Sequence, residues 1–169
     1  QKSFNIYARK EYGAEAVEYD LFNSNAVSET GKIIDKFDSF VLRNGGNDAS
    51  YSRWRDKLNQ TLSSGRDFLT QSMESAVVFI DGEYWGQYEI TEKLSDDFVH
   101  DHYDIPKKNV CIIKNEELDE GDAEGLDEFN QLWSWIKSTD FSSDAAYAQL
   151  AEKVDMQSLA DYLSAELYI

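Results

Sequence analysis

The stretch VVFIDGEYWGQYEITEKLS, Val77 to Ser95, decides the fold. An apolar run ends at Asp81-Gly82, and a second run rich in aromatic residues leaves it. Asp-Gly between two such runs signals a two-residue hairpin turn, because both turn positions need positive φ. The hairpin pairs ESAVVFIDG with EYWGQYEIT, and Glu92-Lys93 closes it ahead of a charged helix start. Alternation along the second strand puts Tyr84 and Tyr88 on one face. That face is either packed into a core or forms a wall on which an aromatic ligand stacks.

Working outward, SFNIYAR (3–9) alternates as a strand, and EYGAEAVEYDLF adds a turn at Gly13 and a short second strand. FDSFVLRNGG (37–46) is a stronger strand ending on a glycine pair. SYSRWRDKLNQTLSS (50–64) predicts a helix capped by Ser50, with Trp54, Leu58 and Leu62 on its apolar face. SDDFVHDHY (95–103) predicts a short helix capped by Ser95, and Pro106 closes it. NVCIIKN (109–115) reads as a strand and EELDEGDAEG (116–125) as an acidic loop. LDEFNQLWSWIK, SSDAAYAQLAEKV and DMQSLADYLSAELYI predict three helices, the last two capped by Ser143 and Asp155. The order predicts an α+β fold, with a β-rich part over 1–107 and a strand followed by helices over 108–169. The chain starts in a strand pattern and stops inside an apolar helical one, which gives the expectation of trimmed ends.

With 33 acidic residues against 16 basic, the net charge is −17. That argues against a nucleic-acid partner, which needs a basic footprint, and fits a soluble protein, an anion-repelling surface, or a partner that is basic or a cation. No apolar run approaches the ~20 residues that span a bilayer, and no signal peptide is read. The single Cys111 excludes an intrachain disulfide and a Cys-based zinc site, and its VCII setting reads as a buried small hydrophobe. The Asp119–Asp127 acidic stretch fails the calcium-loop pattern and reads as a solvated loop. His100 and His102 stand two apart, not four, and read as surface histidines. No dinucleotide, Walker or nucleophile-elbow motif occurs.

Arg43 carries more information. It ends an otherwise apolar strand, where a long cation needs a partner, and the next helix offers Asp56. A strand cation held by a helix carboxylate is how kinases clamp nucleotide phosphates; a purely structural ion pair has the same spacing. Glu92-Lys93 falls where a kinase-like order places its hinge.

Several segments together resemble the CotH kinase family, the spore coat protein H-like proteins. They are KSFNIYARKEYG, FVLRNGGND, RWRDKL, VVFIDGEYWGQYEITEKL and DMQSLADYLSAELYI, in the family's order over essentially the whole chain. The resemblance implies an atypical, secretory-kinase-like fold: a protein-kinase-like N-lobe followed by the first C-lobe helices. It implies ATP with Mg2+ or Mn2+, transfer of the γ-phosphate to Ser or Thr of a protein substrate, and a place outside the cell or on a cell or spore surface. By that analogy Arg43 and Asp56 are the catalytic candidates. Tyr84, Tyr88, Glu92 and Lys114 are the nucleotide-contacting ones. The family's catalytic Asp and metal motif would follow Ile169, so residues 1–169 alone are expected to be inactive. Two rivals stand beside this: a non-catalytic, pseudokinase-like surface scaffold, and a carbohydrate-binding module using Trp85, Trp133 and Trp135. The second rival is the weakest reading, since Trp133 and Trp135 lie two apart on a helix and point different ways.

Overall fold

A computed structural model describes residues 2–169. The fold is α+β. In chain order it runs β1 (Phe4–Tyr7), β2 (Val17–Glu18), β3 (Lys36–Phe37), β4 (Ser39–Arg43), α1 (Arg55–Ser63), β5 (Met73–Ile80) and β6 (Glu83–Glu92). Then follow α2 (Asp96–Tyr103), β7 (Ile112–Lys114), β8 (Glu117–Glu120), α3 (Ala123–Ser138), α4 (Asp144–Ala151) and α5 (Met156–Tyr168). The chain divides into two compact units: residues up to Ser64 with Thr70–Lys107, and Gly65–Leu69 with Lys108–Ile169.

In the first unit, four antiparallel strands form one sheet in the order β1-β4-β6-β5. The turn expected at Asp81-Gly82 forms, with φ of 52° and 82°. The pairing of β5 with β6 is not regular. Val78 stands opposite Gly86 but Phe79 stands opposite Tyr84, so Trp85 is an extra, bulged residue. The bulge overturns the simple alternation: Tyr84 lies on the face opposite Tyr88. Ring contacts agree, since Tyr84 meets Phe79 at 5.6 Å while Tyr88 and Trp85 both meet Phe4, at 6.0 and 5.8 Å.

The Tyr88 face is covered by the segment between β1 and β4. Phe22, Ala26, Ile34 and Phe37 form its buried cluster, against which Ile90 packs. α2 closes this layer. Its Ser95 cap accepts from the Phe98 N–H, as the sequence predicts.

α1 departs from expectation. It starts at Arg55 with Trp54 at its N-cap, not at Ser50. Asp48 organises the approach, accepting from the Ser52 N–H, the Ser52 hydroxyl and the Arg55 N–H. The expected apolar face is exposed, with Trp54 52%, Leu58 37% and Leu62 63% accessible. The helix turns Asp56 and Lys57 inward instead, because the sheet offers Arg43 and Glu74 as partners.

In the second unit β7 and β8 form a hairpin, so Glu117–Glu120 of the expected acidic loop is strand, and its Ala123–Gly125 end is already helix. Asp122 then caps α3 by accepting from the Gly125 N–H. Ser143 and Asp155 cap α4 and α5 as expected. Cys111 is exposed rather than buried in a strand.

Candidate functional site

The candidate site lies on the face of the sheet that carries Arg43. Antiparallel register puts Arg43 opposite Glu89, and Glu89 opposite Ser75, so these three side chains share one face. From α1, the Asp56 carboxylate pairs with the Arg43 guanidinium. Both side chains of the pair are 38% exposed, so it is open to a ligand. Lys57, one residue on, bridges to Glu74 of β5 at 2.9 Å.

Glu89 is the residue the sequence reading missed. It is 5% exposed, and its Oε1 makes no hydrogen bond. Burial pushes its carboxyl above the ordinary glutamate range; Arg43 pulls it back and Asp56 adds to the rise. A buried, incompletely satisfied carboxylate beside an exposed cation is the kind of perturbed group that collects at functional sites. The signal was a charge inside the otherwise apolar YEIT stretch, but only the register shows that it faces Arg43. Arg53 joins the same corner. Its backbone is left-handed at φ 64°, and its guanidinium donates to the Ala49 carbonyl at 2.9 Å and the Gln87 carbonyl at 3.3 Å.

Among the other candidates, Tyr84 shares the Arg43 face, further along β6 near the turn, and is 66% exposed. Tyr88 is on the opposite face, 1% exposed, with its hydroxyl unbonded. Glu92 is three residues from Glu89 and also faces away from Arg43. Its carboxylate is taken up by the Ser72 N–H at 2.7 Å and the His102 ring at 2.8 Å. His102 is thus a half-buried tie and not a surface residue: its side chain is 11% exposed and stacks on Phe98 at 4.1 Å. Lys114 ends β7 in the second unit.

The donor set fits an anion such as a nucleotide phosphate at Arg43. It does not fit a metal: among the described residues, no three His, Cys, Asp or Glu side chains gather where they could hold one. These residues therefore do not by themselves hold the Mg2+ or Mn2+ that the resemblance implies. No helix among the described residues is long and apolar enough to cross a membrane. The family model described as CotH kinase protein matches residues 1–169, the whole chain. No curated protein and no solved structure matches it.

Proposed function

The chain belongs to the CotH kinase family, and from that premise we propose that it forms the nucleotide-handling part of a protein kinase. The activity proposed is transfer of the ATP γ-phosphate to a Ser or Thr hydroxyl of a protein substrate, outside the cell or on a cell or spore surface. In this reading the four-stranded sheet with α1 is the N-lobe.

The observation that carries the proposal is the accessible Arg43–Asp56 pair above buried Glu89. Phosphoryl transfer asks a protein mainly to position phosphates and to offset their charge. A guanidinium presents a rigid fork of donors that matches phosphate oxygens, which a lysine ammonium does not. Arg43 supplies the fork, and Asp56 fixes its orientation from α1. Bound ATP supplies the transferable phosphoryl group. The exposed part of Arg43 binds and orients it.

The test is binding of labelled ATP to the chain, and phosphate transfer by the natural full-length protein to a Ser-rich basic acceptor. Arg43→Ala is expected to weaken ATP binding roughly 10- to 100-fold, the loss of one or more charged hydrogen bonds, with an unchanged circular dichroism spectrum. Unchanged ATP affinity in a folded Arg43→Ala variant would make Arg43–Asp56 a structural ion pair and overturn the reading.

A further inference from the structure

β5 is an edge strand. It pairs with β6 on one side only, so alternate residues turn their N–H and C=O groups outward. Among the described residues, no backbone hydrogen bond from another segment reaches Ser75–Ile80. Natural edges are usually blunted by lysine, proline or an inward charge. Here SAVVFI, 75–80, has none of these. Beside the edge lies an apolar patch on one face: Val77 and Phe79 are each 61% exposed, and Tyr84 across the turn is 66% exposed.

Charge decides what fits there. From Met73 to Glu92 the hairpin carries five carboxylates and no Lys or Arg. Glu74 and Glu92 are paired and Glu89 is buried. Asp81 and Glu83 are exposed beside the patch and make no ion pair among the described residues. A second copy of the chain is a poor occupant, since it brings the same cation-free hairpin and a net charge of −17.

We propose that the β5 edge docks an extended basic polypeptide segment as a fifth strand. Its alternate apolar side chains lie on Val77 and Phe79, and a Lys or Arg reaches Asp81 and Glu83. Main-chain hydrogen bonds supply affinity in this mode, and the alternate side chains supply selectivity.

The probe is a labelled peptide, Lys-Val-Thr-Val-Thr-Val-Lys, followed by fluorescence anisotropy and by amide exchange of β5. The expected result is saturable binding with slowed exchange at the outward amides of Ser75–Ile80. Replacing both lysines by Glu, or N-methylating alternate residues, is expected to weaken binding at least tenfold. So is the double variant Val77→Thr with Phe79→Ser, whose exposed positions leave the fold intact. No binding, or binding without protection of β5, overturns the proposal. Equal binding of the Lys and Glu peptides overturns the charge argument. Protection of β5 that grows with protein concentration in the absence of peptide overturns it in favour of a second copy. No nucleotide enters this experiment, so its outcome is independent of the kinase reading.

Discussion

His102 meets an acceptor at each ring nitrogen, the Val27 carbonyl at 3.0 Å and the Glu92 carboxylate at 2.8 Å. Glu92 is buried, so removing His102 leaves its carboxylate with the Ser72 N–H and one unmet acceptor, which costs more than the contact itself contributes. His102→Ala should therefore destabilise the protein by about 2–3 kcal/mol, measured by urea unfolding; a loss below about 1 kcal/mol would place the pair among ordinary surface contacts. Glu89 has the opposite sign. Its folded carboxyl is raised by burial, so the folded state holds the proton more tightly than the unfolded chain. That group opposes folding once it ionises, and its penalty vanishes as the pH falls back through the raised value toward the ordinary 4.5. Glu89→Gln should be more stable than wild type at neutral pH and converge with it near pH ~4. A constant difference across that range would show that charge is not what matters at Glu89. The Arg43–Asp56 pairing was legible because only thirteen residues separate its members, one on a strand and one on the next helix. His102 was not legible, since its contact with Val27 spans 75 residues of chain.

Among the elements, the hairpin, its Asp-Gly turn and the caps at Ser95, Ser143 and Asp155 could be read directly, because each is set by local geometry. The bulge at Trp85 and the inverted face of α1 could not. Bulges depend on cross-strand register. The apolar spacing of Trp54, Leu58 and Leu62 predicts burial only if no stronger partner claims the other face, and here Arg43 and Glu74 claim it. The start of α3 offers a sharper test of element packing. A Cβ on Gly125 would lie 2.6 Å from Cys111 Sγ and 2.7 Å from its Cβ. Alanine in a helix is otherwise favoured over glycine by about 1 kcal/mol. Gly125→Ala alone should destabilise by roughly 1–3 kcal/mol through overpacking, whereas in a Cys111→Gly background the same change should become neutral or stabilising. Thermal unfolding of the four variants reads this as a double-mutant cycle. Additive effects would mean that the loop before β7 moves aside without cost.

For the whole molecule the dominant fact is charge, and it is unevenly spread. Residues 108–169 hold fourteen Asp and Glu against four Lys and Arg, whereas the remaining 107 residues hold nineteen against twelve. Like charges at this density repel one another in the compact state. The attractive pairs that salt would also screen include Lys10–Glu15 and Lys36–Glu18, which are well exposed and contribute little. Raising ionic strength from ~0.01 to ~0.15 M shortens the screening length from ~30 to ~8 Å, which removes most of the long-range repulsion. Stability should therefore rise with salt, and it should rise most where the imbalance is greatest. Amide exchange separates the two units in one experiment. Protection in α3, α4 and α5 should increase more between these salt concentrations than protection in β4, β5 and β6. An equal gain in both would assign the effect to general ion binding. A loss of protection with salt would show that attractive pairs, and not the excess of carboxylates, govern the electrostatics of the chain.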